Sequence, residues 1–479
     1  MISTVLLSLY ALAALGLAIY GGYFVWMATL PPANSDRPTP SPPEDDALPT
    51  VTVQLPMFNE SRVAARVIDA VCRMRYPRAK LQVQVLDDST DGSSEAVAAR
   101  VAHWRARGLA IEHIRRASRD RFKAGALAHG LETASGELIA IFDADFVPAP
   151  EWLRHTAAWF CAAGSDELGL VQTRWGHLNA ERSALTRTQA RILDDFADQQ
   201  ALRAAAGLLV LFNGTAGLWR RACIDDAGGW SGRTLSEDFD LSLRAHMSGW
   251  TVAFDDAARA AAELPETVAA YRSQQRRWAK GNLQATRCLG PALLRSSFAW
   301  RQKIETLLSL STHLTHVLLL AVLLLKLALF AWPHPLVPAV DLVLALGITG
   351  LCAPGVFAWA TGQRGPPLDT LLQGGMIPTD AHGACAGIFG ALGGEFHRTE
   401  KLGAAATPLI PQLRTDPAVL GDVALWLASL VALGLALRDG HIFALPVLLI
   451  YALSLGWVSA LGLWESWLRI FSTARRSSS

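Results

Sequence analysis

The sequence predicts an α/β domain set between membrane-spanning helices, on three observations. Only 18% of the 479 residues are charged, where a soluble domain carries about 25%, and the shortfall falls at the N-terminus and after Glu305. Between Val51 and about Ser297, short apolar strands alternate with polar helical stretches, the pattern of a sheet covered by helices. Within that block, acidic clusters stand at the ends of strands. With 43 Lys and Arg against 42 Asp and Glu, the chain lacks the basic excess of a polyanion binder, and nucleic acid is not an expected partner. Its six cysteines lie far apart with no CxxC pair, which suggests neither a zinc site nor a disulfide framework.

Taken in order, the chain divides into an anchor (1–30), a Pro-rich linker (31–49), an α/β domain (50–297) ending in interfacial helices, and a membrane region (298–479). Ile2 to Leu30 is an apolar run long enough to cross ~30 Å of hydrocarbon. It lacks a basic leading region and is too long for the apolar core of a signal peptide, so a retained anchor is expected. Pro31 to Pro49 is dense in Pro, Ser and Asp and reads as an extended linker. Four further apolar segments, 305–330, 336–360, 419–437 and 442–464, bring the expected spans to five. Lys and Arg collect on the cytoplasmic side, and the segment from Thr361 to Ala418 holds Arg364, Arg398, Lys401 and Arg414, while the opposite loops hold only Arg438. The α/β domain is therefore expected in the cytoplasm. Lys326, His313 and His316 are read either as channel residues or as helix-packing groups. Trp426, Trp457, Trp464 and Trp467 are read either as the lining of a sugar path or as an interfacial aromatic belt.

Within the domain, a strand at Val51 to Leu55 leads into Pro56-Met-Phe-Asn-Glu60, and a helix is expected over Arg62 to Met74. A second strand, Leu81 to Leu86, ends in Asp87-Asp88-Ser-Thr-Asp91. A third, Glu137 to Phe142, ends in Asp143-Ala-Asp145. The carboxyl ends of strands are where an open α/β sheet places its ligand crevice. Carboxylates there can hold a hard divalent ion whose remaining positions go to phosphate oxygens and water, the usual way Mg²⁺ or Mn²⁺ is bound on a nucleotide. Phe212-Asn-Gly-Thr-Ala-Gly217 is a small-residue turn permitting close backbone approach. Ser236-Glu-Asp238 precedes an amphipathic helix, Leu241 to Met247, and reads as an N-cap, a catalytic base, or both. In Gln274-Gln-Arg-Arg277-Trp278-Ala-Lys280, a guanidinium suits phosphate oxygens and an indole suits a pyranose face; a basic, aromatic membrane-surface helix is the other reading.

Asp88 (with Asp87), Asp143-Ala-Asp145, Ser236-Glu-Asp238 and Gln274 to Trp278, in that order, resemble the ordered signature of the inverting, membrane-embedded family 2 glycosyltransferases. The resemblance is strongest to the cellulose-synthase-like A and C group, through Leu55 to Glu60, Gln84 to Asp91, Phe122 to Leu127, Leu170 to Trp175, Phe212 to Trp219 and Ala227 to Trp230. Ser236 stands where the family has Thr. The resemblance implies a GT-A, Rossmann-like domain and a metal-dependent hexosyltransferase that polymerises a β-glucan or mannan from UDP-glucose or GDP-mannose and passes it across a bacterial inner or plasma membrane. A ceramide-glucosyltransferase-like transfer of one sugar to a lipid is the alternative. It implies Asp238 as base, with Asp145 and Asp143 for Mg²⁺ or Mn²⁺. Pro56, Glu60, Asp87, Asp88, Lys123, Asp143, Gln274 and Arg277 are then expected on the nucleotide-sugar donor, and Trp278 and Glu237 on the growing polysaccharide. Phe396-His-Arg-Thr399-Glu-Lys401 looks like the family's gating loop (395–402), with Arg398 in place of Val, and puts Thr399 and Lys401 on the nucleotide; a basic interfacial loop is the other reading.

Overall fold

The computed structural model describes residues 1–30, 40–360, 368–394 and 418–476. The expected loop at 395–402, with Thr399 and Lys401, lies outside them. Helix α1 (Ile2–Ala28) precedes a domain built on eight strands: β1 (Val51–Met57), β2 (Leu81–Asp87), β3 (Ala110–Ile114), β4 (Leu138–Ile141), β5 (Val147–Pro148), β6 (Leu168–His177), β7 (Gly217–Arg220) and β8 (Thr251–Ala262). They form one mixed sheet in the order β3-β2-β1-β4-β7-β6-β8-β5. β1 pairs in parallel with β2 and β4, whereas β7 runs antiparallel to both β4 and β6.

Side chains alternate across a strand, and the core follows that period. Val51, Val53 and Leu55 of β1 and Leu138 and Ala140 of β4 pack against α2 (Ala64–Cys72), α3 (Ser93–Arg105) and α5 (Trp152–Cys161). Ile139 and Ile141 point the other way, onto α4 (Phe122–Leu131), α7 (Arg221–Asp226) and α8 (Glu237–Met247). Between these helices in sequence runs α6 (Ala184–Ala205), opened by a capping box in which Ser183 and Thr186 satisfy each other's backbone amides. The long helix α9 (Val268–Arg295) closes the domain, its first turn capped by the Thr267 hydroxyl.

The remaining helices are α10 (Trp300–Leu310), α11 (Leu314–Ala331), α12 (Val337–Ala360), α13 (Leu368–Gly375), α14 (Ile377–Phe389), α15 (Ala418–Asp439) and α16 (Leu445–Arg476). Among the described residues, four helical segments are long and apolar enough to cross a membrane: Ile2–Ala28, Leu314–Ala331, Ala418–Asp439 and Leu445–Trp467. The segment expected as the third span falls on α12, whose shorter apolar stretch is Val337–Ala353. The helix expected over 305–330 is broken at Ser311 to His313. Its first part, α10, is polar on one side: Glu305 is buried and accepts from Arg203 of α6 at 2.8 Å and from the Tyr23 hydroxyl of α1 at 3.0 Å. That cluster ties the first apolar helix to the domain. α1 also meets α12 where glycines allow backbone contact: a Cβ on Gly21 would stand 2.4 Å from the Gly347 carbonyl. Trp464 and Trp467 stack on each other, 5.1 Å between centroids, on the exposed side of α16. They fit a belt, while Trp426 and Trp457 are half-buried between helices.

Candidate active site

Parallel pairing brings Met57, Asp87 and Ile141 to one edge of the sheet, and β1 is flanked there by strands reached in opposite directions along the sheet. The connecting loops part at such a point and leave a crevice. A cleft of about 1320 Å³, including its open mouth, occupies it. Pro56, Glu60 and Asp88 reach it from the ends of β1 and β2, and Lys123 from the first turn of α4. Asp143 and Asp145 come from the turn after β4, and Glu237 and Asp238 from the first turn of α8. Gln274, Arg277 and Trp278 complete the wall from α9, where spacings of three and four put them on one helix face.

Lys123 is the hub of the acidic groups. Its Nζ donates to Asp143 Oδ1 at 2.6 Å and to the Gly214 carbonyl at 2.8 Å, and lies 3.8 Å from Glu237. Burial alone would lower its pKa; Asp143, Glu237 and Asp238 outweigh that and raise it. The expected close backbone approach is at Gly214, whose φ is +86° and where a Cβ would stand 2.9 Å from Asp238 Oδ2. The next residue, Thr215, accepts the Asp143 amide on its hydroxyl at 2.9 Å.

Asp238 carries the largest perturbation among these carboxylates. Burial first, and then the neighbouring Glu237 carboxylate, raise its pKa to about 7, against the opposing pull of the Phe239 amide and Lys123. The Phe239 N–H donates to its Oδ1 at 2.9 Å. Ser236 occupies the N-cap position of α8 without the expected side-chain cap; its hydroxyl donates instead to Asn282 Oδ1 on α9 at 3.3 Å. Arg277 is lowered by burial and sustained by Glu237, Asp143, Asp238 and Asp145, so one guanidinium feels all four acids.

Asp87 is not brought to the cleft. Successive strand residues face opposite sides, so Asp87 shares the side of Val83 and Val85, toward α3. There its carboxylate accepts from the Ser89 amide at 2.9 Å, from His113 Nε2 at 2.8 Å and from the Ser94 hydroxyl. Burial would raise its pKa, but these bonds from His113, Ser89 and Ser94 hold it well below the usual carboxylate range. Asp88 alone of the pair lines the cleft, clamped by Arg116 Nε at 3.0 Å.

Residues 49–281 match the model described as glycosyltransferase like family 2. The chain carries a family 2 glycosyltransferase domain. Two rice relatives (Oryza sativa subsp. japonica) are similar in sequence. "Probable glucomannan 4-beta-mannosyltransferase 7" is 44% identical over 238 residues, covering 49% of this chain and 40% of the relative. "Glucomannan 4-beta-mannosyltransferase 1" is 42% identical over 250 residues, covering 50% and 48%. The chain thus spans less than half the length of these curated relatives. Among solved structures, a mannosyltransferase of Pyrobaculum calidifontis, in complex with GDP-Man and Mn²⁺, superposes with a TM-score of 0.55 at 20% identity, covering 81% of this chain and 99% of the other. The family 2 domain therefore has the expected GT-A-like mixed sheet.

Four cleft groups of the family 2 domain were not expected from sequence. Arg119 stacks 3.3 Å from the Phe58 ring centroid in the cleft wall. Glu263, paired with Arg66 at 2.5 Å, enters from the end of β8. His177 and Trp175 enter from the end of β6. The string Leu170 to Trp175 was the available signal for Trp175. Arg119 and Glu263 lie in stretches with no motif of their own.

Proposed function

We propose that this chain is a membrane-embedded, inverting hexosyltransferase that elongates a β-linked, mannan-type polysaccharide from GDP-mannose, with the family 2 domain on the cytoplasmic side and the polymer passed outward between the apolar helices. The observation that carries this reading is the convergence of Asp143, Asp145, Asp238, Arg277 and Trp278 on one cleft within a domain whose relatives are named mannosyltransferases. The charge of the loops around the apolar helices supports the orientation.

The donor set of Asp145 and Asp143 is all carboxylate oxygen, in the lining of the cleft, and suits a hard divalent ion such as Mn²⁺ or Mg²⁺. Asp145 is the first ligand by the family resemblance, with Asp143, which also accepts from Lys123, beside it. When bound, the ion neutralises charge on the departing diphosphate. Asp238 takes the proton of the acceptor hydroxyl; a carboxyl held near pH 7 is matched to that task. Arg277 and Lys123 hold phosphate oxygens, Trp278 stacks under the acceptor sugar with Glu237 beside it, and Asp88, Pro56, Glu60 and Gln274 bind the donor.

The test is to offer the full chain in detergent a panel of nucleotide sugars with Mg²⁺ or Mn²⁺, to measure released nucleoside diphosphate and to size the product. GDP release with a high polymer is expected. One hexose added to a lipid would instead select the single-transfer reading, and no release from any donor would overturn both. Asp145→Ala should weaken donor binding about tenfold or more in the presence of Mn²⁺ only, a loss of about 1.4 kcal/mol or more. Unchanged calorimetric affinity with and without Mn²⁺ would exclude Asp145 as a ligand.

A further inference from the structure

Away from the cleft, two histidines and an aspartate meet at the break between α10 and α11. His313 is the N-cap of α11, and His316 follows one turn later; their rings stack at 5.9 Å between centroids with 28° between planes. Asp380 faces them from α14 and is 2% exposed. Its Oδ2 lies 3.4 Å from His316 Nε2 and 4.0 Å from His313 Nδ1. One ligand atom from each of the three falls within 4.8 Å of the others.

We propose that His313, His316 and Asp380 bind a divalent transition-metal ion of the Zn²⁺ type, which clasps α11 to α14.

Ligand atoms around a tetrahedral ion with bonds of about 2.0–2.1 Å stand about 3.3–3.4 Å apart. The edge between His316 and Asp380 already has that length, and binding requires the other two, 4.8 Å or less, to shorten by side-chain rotation. Two neutral imidazoles and one carboxylate, with a fourth position left for water, is a donor set that suits Zn²⁺ and its neighbours and not Mg²⁺.

A second observation points the same way. His313 Nδ1 and Asp380 Oδ1 are buried without a hydrogen-bond partner in the structure. Leaving such atoms unsatisfied costs about 1–3 kcal/mol each. A simple ion pair does not remove that cost: both rings converge on Oδ2, and Oδ1 stays bare. An ion among the three uses the His313 Nδ1 lone pair directly and can engage the second carboxylate oxygen.

The clasp would reach the cleft through close packing. Asp380 is followed on α14 by Gly383 and Gly387, which press on α9: a Cβ on either would stand 2.6 Å from the carbonyl of Arg276 or Lys280. Those two residues bracket Arg277 and Trp278. Fixing α14 to a membrane helix therefore also fixes the α9 face that lines the cleft.

The experiment strips the full-length protein with a chelator, reloads it with Zn²⁺ or Co²⁺, and measures metal content and the cobalt ligand-field spectrum. An Asp145→Ala background keeps any ion in the cleft out of the count and separates this result from the glycosyltransferase reading. About one ion per chain with a four-coordinate cobalt spectrum is expected. His316→Gln and Asp380→Asn should each weaken binding by more than the 10–100-fold that even outer-sphere partners contribute. His316→Cys keeps a ligand in place and should bind cobalt with an added thiolate charge-transfer band, which serves if the other variants fail to fold. Failure of the parent to take up Co²⁺, equal affinity in the variants, or no thiolate band in a folded His316→Cys protein would each overturn the site.

Discussion

The cleft and the helix bundle both bury charge, in opposite ways. Within the bundle, charges close on each other. Lys326 donates to both Asp341 oxygens at 2.7 and 2.9 Å, the Tyr10 hydroxyl donates to Asp341 at 2.7 Å, and Lys326 and Asp341 are each 1% exposed or less. Arg272 pairs with Asp422, and Arg203 with Glu305, in the same closed manner. In the cleft, Asp143, Asp145, Glu237 and Asp238 outnumber Lys123 and Arg277 on the walls they share, and Asp238 is left with a pKa of about 7. Closed pairs hold helices together; an acidic surplus facing an open cavity is arranged for what enters it. Substitutions should separate accordingly into those that cost turnover and those that cost stability.

The largest effect is expected at Asp238. Asp238→Asn keeps the shape and removes the proposed base, and should lower turnover about 10²–10⁴-fold, with donor affinity nearly unchanged because a base acts mainly in the transition state. Steady-state kinetics with calorimetry of donor binding checks it. A variant that loses donor binding but keeps turnover at saturating donor would contradict the assignment. The thermal midpoint should not fall, since the substitution removes an unfavourably buried charge.

Lys326→Met is the counterpart in the bundle. It removes the cation and leaves Asp341 with only the Tyr10 hydroxyl and the His441 ring, and breaking a buried pair from one side costs about 3–5 kcal/mol. Thermal unfolding in detergent should show the loss, and adding Asp341→Leu should recover much of it. Turnover per folded molecule should stay near that of the parent. If the single variant is as stable as the parent, Lys326 and Asp341 are not a closed structural pair.

The pH dependence tests the cleft alone. Below a pKa of about 7 the Asp238 carboxyl holds its proton and cannot accept another. The value of kcat/KM should therefore fall about tenfold for each pH unit below 7 and level off above it. A profile flat from pH 5 to 8 would remove Asp238 from the role of base.

How much of this was legible in the sequence depends on whether the signal is local. The β1, β2 and β4 strands announce themselves by apolar runs, and their acidic ends follow directly. Gln274, Arg277 and Trp278 share a helix face by spacing alone. The opposite orientation of Asp87 and Asp88 was also readable from strand alternation, since adjacent residues cannot both face the crevice. Other features depend on partners far along the chain. The break after Leu310 is invisible to hydropathy, because Glu305 is made tolerable by Arg203 and Tyr23, which come from two other helices. Gln284 is similar: it accepts from the Leu235 amide at 3.0 Å and donates to the Ala391 and Gly393 carbonyls at 3.0 and 2.9 Å, joining the approach to Ser236 to the stretch after α14. Nothing near Gln284 in sequence marks it.

The smallest effects lie where the cleft and its supporting helix touch, and they sharpen the comparison by placing a change on either side of one contact. A Cβ on Gly281 would stand 2.3 Å from the Ser236 hydroxyl and 3.2 Å from the Ser236 amide nitrogen. Gly281→Ala must therefore turn the Ser236 hydroxyl away from Asn282 and press back the Leu235–Ser236 backbone by a few tenths of an ångström, an overpacking that costs about 1–3 kcal/mol. Because that backbone leads into Glu237 and Asp238, part of the cost should appear as turnover, roughly tenfold, equivalent to about 1.4 kcal/mol. Ser236→Thr instead keeps the hydroxyl that donates to Asn282 and adds one methyl to the residue. It should change turnover and stability by no more than about 0.5 kcal/mol, the range of substitutions that disturb no special contact. Kinetics and melting curves on the two variants read both sides of the contact. If Ser236→Thr proves as damaging as Gly281→Ala, the space around Ser236 is filled from both directions, and serine stands in the family's threonine position because this contact has no room for the methyl.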